Sequence, residues 1–189
     1  VYNALCAIMT ANALGCSKEV IAASLKDMKV RGRIEMVKVS DKYTLIIDYA
    51  HNAMALKSIL TTLRDYRPNR LICLFGCGGN RAKDRRFEMG RVSGKYADLT
   101  VITSDNPRDE NPQSIIDDIK TGISDTNGEF VEIADRKDAI RYAMGIAEDG
   151  DIVLLAGKGH EDYQEIKGVK YTMDERDLIK DILDEASES

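Results

Sequence analysis

The chain has 189 residues, 43% of them apolar, and its 27 basic and 32 acidic residues leave a net charge of −5. That content supports a packed core and excludes a disordered chain, while the spread, mildly acidic balance excludes a general binder of nucleic acid or anionic membranes. No apolar run approaches the roughly 18 residues of a membrane span and no signal-peptide pattern opens the chain, so a cytoplasmic protein is expected.

From 3 to 14 the residues are small and apolar nearly all round (Ala4, Leu5, Ala7, Ile8, Ala11, Leu14), which predicts a helix buried on most of its surface and ended by Gly15. Ser17 is placed to cap a second helix over 18–28, with Val20, Ile21 and Leu25 on one side. These helices have no sheet of their own. With a start at Val1 that lacks an initiator methionine, they read as the end of a domain whose remainder is missing, over about 1–40. A turn at 30–35 leads into an extended stretch at 36–39.

From 41 to 189 strand and helix patterns alternate. Apolar runs at 43–48, 71–75, 99–103, 130–134 and 152–156 read as strands. Between them lie helix patterns: Leu56, Ile59, Leu60 and Leu63; a stretch over 84–96; a helix capped by Asn111 with Pro112 at its first position; and one capped by Asp135. A small hairpin is expected around Gly168 and a last helix after Asp174. Continuous apolar strands alternating with helices predict a doubly wound, Rossmann-like, mostly parallel α/β sheet.

Cys6, Cys16, Cys73 and Cys77 form no CxxC pair and sit mostly in apolar runs, which predicts buried free thiols. With only His51 and His160 available, no metal site is expected.

Ligands of open α/β sheets bind beyond the carboxyl ends of the strands. Four strands here end in polar or glycine-rich sequence: Asp48-Tyr49-Ala50-His51, Gly76-Cys77-Gly78-Gly79-Asn80-Arg81, Ser104-Asp105-Asn106-Pro107-Arg108 and Gly157-Lys158-Gly159-His160-Glu161. A parallel sheet puts all four on one edge. Taken singly they are ambiguous. Gly76-x-Gly78 lacks the third glycine of a dinucleotide loop and can equally be a tight turn requiring positive φ. Asp48 can cap the following helix, Asp105 can form an Asx turn, and the spacing of Arg33 and Glu35 favours an ordinary surface pair. Taken together, Arg81 and Arg108 suit two carboxylates while Asp105 and Glu161 suit an ammonium, which describes a zwitterion with an additional acid group.

In this order and spacing GRIE (32–35), DYAH (48–51), GCGGNR (76–81), SDNPR (104–108) and AGKGHE (156–161) resemble the Mur ligases, over nearly the whole chain. The resemblance implies a three-domain enzyme: a domain for the UDP-sugar, a central ATPase domain, and a Rossmann-like carboxy-terminal domain. Residues 1–40 would end the central domain and 41–189 would form the carboxy-terminal one. It implies an ATP-dependent amide ligase of peptidoglycan precursor synthesis, working through an acyl phosphate, with ATP and Mg²⁺ as cofactors. Arg33 would reach ATP phosphates, Asp48 the ribose, and His51 would lie near the nucleotide. Arg81, Asp105, Asn106, Pro107, Arg108, Gly157 and Glu161 would form the amino-acid pocket. In family terms a DNPR arginine marks members adding meso-diaminopimelate to UDP-N-acetylmuramoyl-L-Ala-D-Glu. A folylpolyglutamate synthetase-like relative, a ligase adding another amino acid such as lysine, and a non-catalytic nucleotide-binding module are the alternatives. DYAH is followed by Asn52-Ala53-Met54 where the family usually has Thr-Pro-Asp, a departure at the nucleotide contacts. The phosphate loop and magnesium ligands of the central domain are absent, so no catalytic residue and no ligase activity are expected of this chain alone.

Overall fold

The computed structural model describes residues 2–26 and 28–187. They fall into two compact units, 1–30 and 31–189.

The first unit holds α1 (Tyr2–Ala13) and α2 (Lys18–Lys26). The expectation of a buried α1 is overturned: neither helix buries a residue, and Tyr2, Leu5, Met9, Leu14 and Val20 are exposed. Two short helices cover only one side of each other, so the remaining apolar surface faces outward. Cys6 and Cys16 are exposed for the same reason, whereas Cys73 and Cys77 are buried as expected, their thiols pushed up to about 12 by burial.

The second unit contains β1 (Glu35–Val37), β2 (Thr44–Asp48), α3 (Ala53–Asp65), β3 (Leu71–Phe75), α4 (Asp84–Tyr96), β4 (Leu99–Ile102), α5 (Pro112–Ser124), β5 (Glu129–Glu132), α6 (Arg136–Gly145), β6 (Ile152–Ala156), a hairpin of β7 (Tyr163–Ile166) and β8 (Val169–Thr172), and α7 (Glu175–Ser187). The sheet order is β1-β2-β6-β3-β4-β5, with β1 antiparallel and every other pairing parallel. The compact unit starts ten residues before the change of pattern read at 41, because Glu35–Val37 pairs with Leu45–Ile47 as the edge strand.

Alternate residues of the strands feed two cores. Ile46, Cys73, Phe75, Ile102 and Leu154 pack with Leu56, Leu60, Met89, Ile115 and Ile119 of α3, α4 and α5. Leu45, Ile47, Leu74, Val101 and Leu155 pack with Ala139, Ile140, Ile179 and Ile182 of α6 and α7. Both faces are therefore covered, as continuous apolar strands require. α4 and α5 approach closely enough that a Cβ on Gly90 would stand 2.2 Å from the Ile119 carbonyl, and one on Gly122 2.1 Å from that of Phe87. That contact explains glycines inside helices, where they otherwise cost stability. Asn52, Asn111 and Asp135 cap α3, α5 and α6 by accepting from Ala55 N, Gln113 N and Asp138 N. Since Asn52 caps α3, Asp48 does not.

Candidate functional site

The carboxyl ends of β2, β6, β3 and β4 converge on one cavity of about 160 Å³. Tyr49, His51, Gly76, Cys77, Gly78, Arg81, Arg85, Asp105, Asn106, Arg108, Gly157 and Glu161 line it. Of the residues expected at an amino-acid pocket, Arg81, Asp105, Asn106, Arg108, Gly157 and Glu161 are brought together here. Pro107 is buried behind the wall and does not line the cavity.

Gly76 and Gly79 are required by backbone that lies against them, and none of Gly76, Gly78 and Gly79 adopts a positive φ. A Cβ on Gly76 would lie 2.3 Å from the Thr103 carbonyl, one on Gly79 1.9 Å from the Pro107 carbonyl, and one on Gly78 2.7 Å from Arg108 Nη1. The glycine loop is pressed against the loop after β4. Gly79 N donates to the Asn106 carbonyl at 2.9 Å, closing the two together. At Gly157 the left-handed conformation does matter: φ is +106°, and a Cβ would meet Asp105 Oδ2 at 3.4 Å.

Asp105 is 8% exposed. Its Oδ1 accepts from Asn106 N at 2.6 Å; the residue two on is proline and has no N–H, so the Asx turn does not form. Among the described residues Oδ2 has no hydrogen-bond partner. Asn106, 3% exposed, spends its side chain inside the protein. Its amide donates to Glu161 Oε2 at 2.9 Å, and its oxygen accepts from Lys158 Nζ at 3.0 Å and Glu165 N at 2.9 Å. Glu161 receives three bonds: Asn106, Lys158 Nζ at 3.0 Å on the same oxygen, and the Tyr49 hydroxyl at 3.1 Å on Oε1. Burial pushes the Glu161 carboxyl up, but these donors and the lysine charge outweigh it and hold the group below the usual carboxylate range. Burial and the facing Glu161 carboxylate raise the Tyr49 phenol.

Arg108 adopts a φ of 51° and is fixed by its backbone as well as its side chain. Its N–H donates to the Glu165 carbonyl at 3.0 Å, and its own carbonyl accepts from Lys167 N at 2.8 Å, so the β7–β8 hairpin clamps it. Nε donates to Glu165 Oε2 at 3.1 Å and Nη1 to the Gly79 carbonyl at 2.9 Å. Arg81, in the loop before α4, and Arg85, in its first turn, are exposed and form no ion pair among the described residues. Sequence reasoning missed Arg85 and Tyr49 as cavity residues. One turn of helix after Arg81 was the available signal for the first, and the DYAH motif for the second.

Beneath the cavity Arg136, 2% exposed, pairs with the fully buried Glu175 and donates to the Ser104 carbonyl at 3.1 Å and the Ala156 carbonyl at 3.2 Å.

Of the residues expected near a nucleotide, His51 lines the cavity itself, while Arg33 and Asp48 lie outside its lining. The Arg33 guanidinium sits 4.6 Å from the centroid of the Tyr49 ring, which His51 flanks at 4.6 Å and His160 at 4.7 Å. His51 Nδ1 lies 2.9 Å from the Tyr49 carbonyl. Arg33 and Glu35 do not pair as the spacing favoured: an intervening positive φ at Ile34 turns them apart, and Glu35 binds Arg176 and Gly32 N instead. Asp48, 8% exposed, accepts from Ile34 N at 2.9 Å and does not line the cavity.

A mostly parallel sheet whose carboxyl edge gathers three arginines and two carboxylates around one cavity defines an α/β domain of the doubly wound class. Residues 32–159 match the family model described as the glutamate ligase domain of Mur ligases, and the chain belongs to the Mur ligase family. A relative from Aquifex aeolicus named UDP-N-acetylmuramoyl-L-alanyl-D-glutamate–2,6-diaminopimelate ligase is 48% identical over 182 residues, covering 96% of this chain and 37% of its own. A solved structure of a ligase of the same name superposes with a TM-score of 0.78 at 36% identity, over 96% of this chain and 37% of that one. Escherichia coli FolC, solved in complex with ADP, shares the fold at 19% identity and a TM-score of 0.65, over 82% of this chain and 36% of its own. The chain thus spans little more than a third of the length of the relatives it matches.

Proposed function

We propose that the protein carrying this chain is an ATP-dependent amide ligase that joins meso-diaminopimelate to UDP-N-acetylmuramoyl-L-alanyl-D-glutamate in the cytoplasm. The observation that carries this reading is the cavity itself: Arg81, Arg85 and Arg108 lie around Asp105 and Glu161, a match to an amino acid with two carboxylates. The names of the relatives support the same substrates. In this reading residues 2–30 are the end of the central ATPase domain, and the unit from Arg31 onward presents the amino acid.

The chemistry assigned to the whole protein transfers phosphate from ATP to the carboxylate of the UDP-linked peptide; the amine of the amino acid then displaces phosphate to give the amide. This chain's part is to hold and orient. The guanidiniums fix the carboxylates by planar two-point contacts, and the free Asp105 oxygen and the Glu161 carboxylate face the ammonium groups, so that one amine is offered in a single direction. Arg33, with no ion-pair partner among the described residues, is available to ATP phosphates, with His51 against the same Tyr49 ring and Asp48 bound to the neighbouring Ile34 N. Among the described residues no group of three His, Cys, Asp or Glu side chains is arranged to hold a metal ion, and we assign no magnesium ligand to this chain.

The test is ADP release by the full-length protein with the UDP-linked dipeptide and either diaminopimelate or lysine. Diaminopimelate-dependent turnover is expected, and a clear preference for lysine would overturn the substrate assignment.

A further inference from the structure

The most deeply buried charge at the cavity is one that the proposed function leaves unused. Lys158 is 0% exposed, yet its ammonium uses all three donors, on Asn106 Oδ1 at 3.0 Å, Glu161 Oε2 at 3.0 Å and the Tyr163 carbonyl. These partners come from the loop after β4, the loop after β6 and the first residue of β7, so a single nitrogen joins three separately anchored segments. A buried ammonium costs stability unless it is paired, and its three rotatable donors suit such a junction. The contact occupies the Glu161 oxygen that Asn106 also holds and leaves Oε1, with the Tyr49 hydroxyl, at the cavity.

We propose that Lys158 is a positioning residue for amino-acid capture: it fixes the rotamer of Glu161 and keeps that carboxylate charged for a ligand ammonium, without touching the ligand. This rests on the reading of the cavity as an amino-acid site. The groups facing Glu161 are Tyr49, with Arg33 behind its ring, Lys158 itself, and Tyr163 beyond the ammonium. Asp105, Arg81, Arg85 and Arg108 look onto the same cavity. Among the described residues Lys158 is the one cation in direct contact with the carboxylate. Its removal lets Glu161 protonate at a higher pH, and ammonium binding then weakens as the pH falls.

The experiment measures KM and kcat of the full-length protein between pH 5.5 and 8, for whichever amino acid it ligates, in four forms: unaltered, Lys158→Met, Glu161→Gln and the double variant. For the unaltered protein KM stays flat on the acid side. Lys158→Met raises KM tenfold or more at pH 7 with a smaller change in kcat, and moves an acid limb upward by at least one pH unit. In the Glu161→Gln background Lys158→Met changes KM less than threefold, because a residue acting through Glu161 has nothing left to act on. An equal loss in both backgrounds, or an unshifted limb, overturns the proposal and leaves a purely structural lysine. If Lys158→Met does not accumulate as folded protein, the unaltered profile decides: an acid limb in KM above pH 6 overturns it. Turnover of another amino acid refutes only the substrate assignment, and no ligation at all refutes both.

Discussion

Arg108 Nε lies 3.1 Å from Glu165 Oε2 while its Nη1 reaches the Gly79 carbonyl at 2.9 Å, so the guanidinium is already aimed before any ligand arrives. Holding it there costs the ligand little ordering entropy. Arg108→Ala is expected to raise KM for the amino acid tenfold or more, since a hydrogen bond to a charged group is worth about 1.5–3 kcal/mol. Arg108→Lys is expected to recover less than half of that loss on a logarithmic scale, because an ammonium cannot copy the planar fork. Steady-state kinetics of the full-length protein check both.

Two neighbouring glycines predict opposite outcomes. In Gly78→Ala the new methyl group meets the far end of the Arg108 side chain, which can move aside. The melting temperature is expected to change by less than about 2 °C, well within the shift that 1 kcal/mol produces, while KM for the amino acid rises. In Gly79→Ala the methyl group meets the Pro107 carbonyl at 1.9 Å, which is backbone and cannot yield cheaply. Destabilisation by several degrees, with loss of activity following loss of fold, is expected there. Thermal denaturation alongside kinetics separates the two.

Beneath the site, the pair of Arg136 and Glu175 has almost no contact with water. Arg136→Met leaves a buried carboxylate alone together with the carbonyls of Ser104 and Ala156, and is expected to destabilise the fold by about 3–5 kcal/mol. Chemical denaturation at neutral pH measures this. A loss below about 1 kcal/mol would refute the assigned role.

Acid stability provides a fourth check. Asp151, 2% exposed, takes two bonds from Arg70, Nε at 3.0 Å and Nη2 at 2.6 Å, and one from Glu148 N at 2.9 Å. Burial pushes its carboxyl up, but the Arg70 contacts outweigh it and the folded value lies below the usual one. A carboxyl depressed in the folded state stabilises fully above its unfolded value near 3.9, and loses that contribution as the pH falls through the folded value. Asp151→Asn is therefore expected to lower stability at pH 7 and to flatten its decline below about pH 4. Parallel declines in the two proteins would argue against the pair.

Much of the second unit was legible before its structure because local and global signals agree there. The apolar runs at 71–75 and 152–156 can only be central strands, and Asn111-Pro112 marks a helix start unambiguously. The charged edge was legible for the same reason, as topology alone brings four loops together. What escaped was decided by contacts distant in sequence. Nothing near Gly78 announces that Arg108 will lie on it, nothing in GRIE announces that Glu35 will leave Arg33 for Arg176, and nothing beside Lys158 announces burial on Asn106. The helix of 2–13 misled because apolar periodicity records which face seeks cover, and not whether the cover is part of the same chain segment.

One feature of the floor bears on how this family can vary. The Arg136 guanidinium holds the carbonyls of Ser104, just past β4, and of Ala156, at the end of β6, while Arg81 and Arg108 reach the cavity from loops and Arg85 from the first turn of α4. Foundation and rim are separable. A change of preferred amino acid can then be engineered, or arise by drift, through exchange of rim side chains alone, with the sheet below left as an unchanged chassis.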